Sequence, residues 1–204
     1  MASEREASVD RVISFSDGVV AIAITLLILP LTEIERPEGA NLINVALDNE
    51  PALFSFALSF AVIANYWTIH HAIFQPVRRH DGRLIGLNML WLAAIVFLPF
   101  PTALIADGLD GGFATFYIGS LLLISVLNLF IANYLDHHPE LTDSQATEVG
   151  HHRIAGAFTV GTLLLALITS LFWPTAGILC LLLLFPAQLI AERVSRRAAP
   201  ARLE

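Results

Sequence analysis

Lysine is absent from this 204-residue sequence, cysteine occurs once, and charged residues of all kinds make up only 14% of it. Each scarcity excludes something. A water-exposed globule carries about 25% charged residues. With 14% charged and 56% apolar residues, this chain has too little polar surface to cover one. The bilayer must therefore solvate most of it. All the basic residues are Arg, which reads as genomic composition bias, and a formal charge of −7 is spread over termini and loops. No extended basic footprint results, so no nucleic-acid partner is expected. The one cysteine, Cys180, sits in an apolar run. Alone it makes neither an internal disulfide nor a metal site, and it is expected to act as a small packing residue. The first residues, MASEREASVDRV, are acidic and mixed in sign, without the basic region and small-residue cleavage site of a signal peptide. The first apolar segment is thus expected to be retained. No nucleophile–base signature and no phosphate-binding loop is visible, so neither an enzyme nor a cofactor is expected.

What is present is a series of long apolar runs. A spanning helix needs about 20 mostly apolar residues, and six segments qualify: residues 12–31, 52–73, 84–105, 113–135, 154–172 and 175–191. Open strands would leave edge groups unsatisfied in lipid, so these segments are expected to be helices. The fold class is an all-α integral membrane protein, one six-helix transmembrane domain over residues 1–204. The connections set its orientation. Loop one holds Glu33, Glu35, Glu38, Asp48 and Glu50 against Arg36, while loop two holds Arg78, Arg79 and Arg83. Loop three carries Asp107 and Asp110, and the tail carries Arg193, Arg196, Arg197 and Arg202. Arginine gathers in loop two and the tail, so the positive-inside rule puts both termini in the cytoplasm.

Polar residues then fall at one depth. Asp17 lies about one and a half turns into helix one, where a charge is costly and needs compensation. Given the orientation, Asn65, Trp67, His70 and His71 near the end of helix two reach the same cytoplasmic third, as do Asn88 and Trp91 near the start of helix three. A hydrogen-bonded network there would satisfy each buried polar atom; its plainest role is to hold helices together, its sharper one a part in gating or assembly. On an ideal helix Ile22, Leu26 and Leu29 fall within about 60° of one another, Thr25 borders them, and Asp17 points roughly 140° away. Arg11 projects near the same stripe at the cytoplasmic mouth. By spacing alone such a stripe faces lipid or core as readily as a pore.

The run from Arg11 through Phe15-Ser16-Asp17-Gly18 to Leu29 resembles the transmembrane protein 175 family of potassium channels, whose hallmark is a Phe-Ser-Asp motif in the first helix preceded by Arg. Trp67-Thr-Ile-His70 resembles the family's Trp-x-x-His. Residues 88–102, with Leu98-Pro99-Phe100-Pro101-Thr102, resemble its third helix. The resemblance implies a single-repeat prokaryotic member, expected in the plasma (inner) membrane, assembling as a homotetramer around a pore lined by helix one. It implies that Ile22 forms the tightest ring, with Leu26 and Leu29 stacked outward and Thr25 offering a hydroxyl. Arg11, Phe15, Ser16, Asp17, Trp67, His70 and Asn88 would form the network that holds helix one. The implied activity is a potassium-selective or potassium-preferring cation channel with a hydrophobic constriction. The implied partners are the lipid bilayer, further copies of the chain and permeant potassium ions.

Two rivals come from the residues themselves. Asp17 beside His70 is a pair suited to a proton pathway or secondary transporter, although no inverted repeat accompanies it. His137-His138 and His151-His152 flank the loop over 136–153 among carboxylates, and histidines with carboxylates can bind zinc. Adjacent histidines lack the spacing of a helical site, so a solvated, pH-sensitive loop is expected, with no metal.

Overall fold

The computed structural model describes residues 2–35, 38–39, 41–109, 112–143 and 147–181. They form a helical bundle. Helix α1 (Ala2–Leu26) is followed by a single helical turn, α2 (Leu29–Thr32). The expected helix over 12–31 therefore begins earlier and is interrupted near its C-terminal end. The cause is Pro30, which has no N–H to offer the carbonyl four residues back. The turn at Leu27–Ile28 is closed instead by the Ile28 N–H donating to the Thr25 carbonyl at 3.4 Å.

The expected loop one contains a short helix, α3 (Leu42–Asp48), whose Asn41 side chain accepts from the Ile43 N–H at 3.1 Å in the manner of an N-cap. Its Leu42, Ile43 and Leu47 are exposed. Helix α4 (Glu50–Phe74) matches the second expected segment. The third is divided into α5 (Gly82–Phe97) and α6 (Pro99–Asp107), because Pro99 and Pro101 each remove a donor from the helical ladder. Helix α7 (Phe113–Asp136) is the fourth. Helix α8 (Thr147–Ser170) starts before the expected residue 154, which shortens the expected loop over 136–153. Helix α9 (Pro174–Leu181) opens the last expected segment, and residues 182–191 lie outside the described residues.

Among the described residues, four stretches are long and apolar enough to cross a bilayer: Val9–Thr32, Glu50–Phe74, Gly82–Asp107 and Phe113–Asp136; Gly156–Ser170 is a shorter apolar helix. Helix α7 is the hub. It packs against α5, α6, α8 and α9, and Tyr117, Ile118, Leu121, Ile124 and Ile131 on it are fully buried. Apolar burial alone does not bind helices in lipid, where tails are as apolar as leucine, so packing and interhelical hydrogen bonds must do it. The Ser59 hydroxyl on α4 meets the Thr102 hydroxyl at 2.8 Å and the Tyr117 hydroxyl at 2.9 Å. Further along, the Tyr66 hydroxyl donates to the Leu121 carbonyl at 2.8 Å and stands 2.7 Å from the Ser125 hydroxyl. At the α8–α9 hairpin the helices meet at Gly177. A Cβ there would lie 2.5 Å from that of Ser170 and 2.8 Å from its Cα, so only glycine permits the approach. Two glycines of α8, Gly156 and Gly161, make no such approach. A Cβ at 156 would make an ordinary 3.4 Å contact with Leu129, and one at 161 would meet nothing within 4 Å.

The loop after α4 is sewn to the loop after α7. The backbone N–H groups of Arg78 and Arg79 both donate to the Leu141 carbonyl, at 2.8 and 3.1 Å, and the Asp143 N–H donates to the Pro76 carbonyl at 2.8 Å. The Arg78 and Asp143 side chains pair at 3.4 Å. His137 and His138 turn their Nδ1 atoms back to the carbonyls of Asn133 and Tyr134, each at 2.8 Å, and so satisfy the open end of α7. The side chains of His151 and His152 lie outside the described residues.

Asp81 caps α5 by accepting from the Leu84 N–H at 2.8 Å and also accepts from the Tyr134 hydroxyl of α7. The Tyr134 hydrogen bond, with the Leu84 N–H behind it, holds the Asp81 carboxyl below the usual carboxylate range. A depressed native pKa adds stability above the unfolded value, about 4, and that stability is lost as pH falls through the folded value. Asp81→Ala is expected to lower stability by about 1 kcal/mol, the usual cost of a lost N-cap. Melting curves should also show the wild type losing more stability than the variant on acidification below pH ~4.

Candidate functional site

Helix α1 presents two faces with different fates. Val9, Ser16, Val20, Ala23 and Leu27 are buried and recur at intervals of three, four and seven residues, so they share one side. That side packs against α4 and α5. The opposite side is open. Ile22 is 63% exposed, Leu26 38% and Leu29 52%, and Thr25 is exposed between them. The Thr25 hydroxyl donates to the Ile22 carbonyl at 2.8 Å, which leaves its lone pairs outward. Reading back along the same side, Gly18, Phe15 and Arg11 are exposed as well. The series Arg11, Phe15, Gly18, Ile22, Thr25, Leu29 steps by four and three residues in turn, the spacing of a helix seam that meets other helices at a shallow angle.

The buried side is held by two separate sets of hydrogen bonds. In the first, the His70 Nε2–H of α4 donates to Asn88 Oδ1 of α5 at 2.8 Å. Asn88 Nδ2 donates to Ser16 Oγ of α1 at 2.9 Å, and the Ser16 hydroxyl donates to the Val12 carbonyl at 2.9 Å. Direction runs one way along this chain, and it requires His70 to carry its proton on Nε2. His70 is further clamped between rings, stacked on Trp91 at 4.0 Å and on Phe74 at 4.5 Å. Ser16, His70 and Asn88 are all buried. In the second set, the Trp67 indole N–H donates to Asp17 Oδ1 at 2.8 Å. This bond sits at the rim, with Trp67 39% exposed and Asp17 half-buried.

The residues of the expected network thus fall into two sets, Ser16, His70 and Asn88 in one and Asp17 and Trp67 in the other. Asp17 takes Trp67 and His70 takes Asn88. Their spacing explains it, since residues three apart on α4 point about 60° apart and face different neighbours. Phe15 is also corrected: it is 55% exposed on the Ile22 side and away from the buried network. Arg11 is exposed at the same side. Trp91, which the sequence had placed at this level, stacks on His70; sequence reasoning missed Asn128, a buried amide on α7. Asn128 stood in a run expected to span lipid, and a polar residue there was the available signal.

Residues 11–99 match the family described as endosomal/lysosomal potassium channel TMEM175. A potassium channel of Chamaesiphon minutus is 44% identical over 102 residues, covering 48% of this chain and 49% of that protein. The human endosomal/lysosomal proton channel TMEM175 is 28% identical over 156 residues, 76% of this chain and 31% of that protein. The chain therefore spans about half the length of the first of these relatives and less than a third of the human one in alignment. The crystal structure of a lysosomal potassium-selective channel TMEM175 homolog from Chamaesiphon minutus superposes with a TM-score of 0.76 at 31% identity, covering 91% of this chain and 98% of that one.

Proposed function

The chain belongs to the TMEM175 family, and on that footing we propose that it is a potassium-preferring cation channel of a prokaryotic plasma membrane, assembled as a homotetramer of six-helix subunits with both termini cytoplasmic. Helix α1 of each copy lines the pore, and Ile22 sets its narrowest ring, with Thr25, Leu26 and Leu29 outward of it. The observation that carries this reading is the open seam of α1. A helix that leaves Ile22, Leu26 and Leu29 exposed among the described residues, on a side that steps by four and three residues, suits a symmetric bundle of itself. The names of the relatives supply the ion. An apolar ring conducts only when wet, so a small rotation or widening of α1 would switch the pore by dewetting. Partial dehydration at that ring costs sodium more than potassium, which gives a physical basis for preference. The acidic residues of the α1–α4 connection, Glu33, Glu35 and Asp48, would raise the local cation concentration at the outer mouth.

Proton permeation is a second reading, favoured by the name of the human relative and by a carboxylate and an imidazole within the bundle. Nothing favours a coupled transporter. Both readings are separated by reconstituting the protein in liposomes and measuring reversal potentials under potassium/sodium and pH gradients. A potential that follows the potassium gradient supports the potassium channel, one that follows pH alone replaces it with a proton path, and no current from the intact assembly rejects both.

A further inference from the structure

Two buried polar atoms lack a hydrogen-bond partner among the described residues: the Trp91 indole nitrogen on α5 and Asn128 Oδ1 on α7. Trp91 is fully buried and Asn128 is more than nine-tenths buried. Orphaned polar groups are rare in native cores, and more so in a bundle whose surroundings offer no water.

The two atoms belong to one level of the bundle. Helices α4 and α7 are paired in register by Ser59 with Tyr117, 58 residues apart, and by Tyr66 with Ser125, 59 residues apart. At that offset Asn128 comes beside His70. The His70 ring is stacked on Trp91 at 4.0 Å with an interplanar angle of 16°. Trp91, stacked on that imidazole, and Asn128, level with it, therefore share the depth of the His70–Asn88–Ser16 chain.

Their chemistry is complementary but they are not bonded to each other. An indole N–H only donates and an amide oxygen only accepts. One molecule that accepts from the first and donates to the second satisfies both, and water is the smallest that does. We propose that an ordered water molecule is bound between Trp91 Nε1 and Asn128 Oδ1, beside His70, and that it ties α7 into the polar level shared by α1, α4 and α5.

Structure determination of the assembled wild-type protein in lipid, at a resolution that orders water, tests this directly. A density peak within hydrogen-bond reach of both atoms is expected. The two side chains bonded directly, or each partnered by other protein groups with no peak between them, overturns the proposal. Thermal melts of Trp91→Phe, Asn128→Leu and the double variant give an independent readout, because phenylalanine keeps the ring on His70. Each single change is expected to lower Tm, with the loss in the double variant smaller than the two losses added. Strictly additive losses overturn the coupling through water.

Discussion

Ile22→Asn is expected to raise potassium flux roughly tenfold or more, and to bring the potassium/sodium ratio towards one. The estimate rests on the cost of passing an ion through an apolar ring. An amide at each position of the ring replaces part of the hydration the ion must shed. Relief of ~1.4 kcal/mol at the barrier is already tenfold in rate, and a polar group in an apolar site is worth about 1–3 kcal/mol on mutational scales. The protomer itself should hardly notice. Ile22 is 63% exposed and has no tight place in its own core, so stability of the single subunit should change by less than ~0.5 kcal/mol. Ile22→Val keeps the ring apolar and should keep selectivity. The measurement is the bi-ionic reversal potential together with flux from liposomes of matched protein content. Unchanged flux and selectivity from an intact assembly would move Ile22 out of the pore and onto a lipid-facing surface.

That stripe was legible before any coordinates, because a lipid-solvated chain still has to divide each helix into a side that packs within the subunit and a side that does not. The depth reading was also sound for Asp17, Trp67, His70, Asn88 and Trp91, whose contacts lie at one level. Depth cannot choose partners, however. Whether Asp17 meets His70 or Trp67 depends on the rotation of α4 about its own axis, which the apolar pattern of a helix buried on several sides does not fix. Phe15 shows the same limit: its place in a motif suggested the network, while its position on α1, seven residues or about two turns before Ile22, puts it on the open seam. The breaks at Pro30 and Pro99 were written in the sequence, but a continuous apolar run masks a break when segments are found by length. Helix α3 was missed because seven residues in an acidic connection fall below any spanning length, although Asn41 stood ready as its cap. Asn128 was passed over for the opposite reason, as one polar residue in a long apolar stretch.

Asn88→Leu should be the most damaging single change at the anchoring network. Its amide is fully buried and joins three helices through two hydrogen bonds, accepting from His70 and donating to Ser16. Leucine keeps the forked four-atom skeleton with somewhat more bulk, so the loss is chiefly one of hydrogen bonding. The His70 N–H would be left buried and unpaired, which costs about 1–3 kcal/mol. Losing the bond to Ser16 adds about 1 kcal/mol, with the Ser16 hydroxyl still satisfied by the Val12 carbonyl. The expected total of ~2–4 kcal/mol is a large share of the stability of a small protein. Trp67→Phe makes the contrasting case. It removes only the N–H that meets Asp17, at a site where Trp67 is partly exposed, so water can take its place and the fold should lose about 1 kcal/mol or less. On the proposed channel reading its effect should instead fall on conduction, since the Asp17–Trp67 bond ties α1 to α4 at the rim. The two variants thus separate the buried ties of α1 from its tie at the rim: a loss of Tm led by Asn88→Leu, and a change in open probability led by Trp67→Phe with Tm nearly preserved. Equal effects of both on Tm and on single-channel opening would mean that the two sets of bonds act as one, and that the division drawn between core and rim has no functional counterpart.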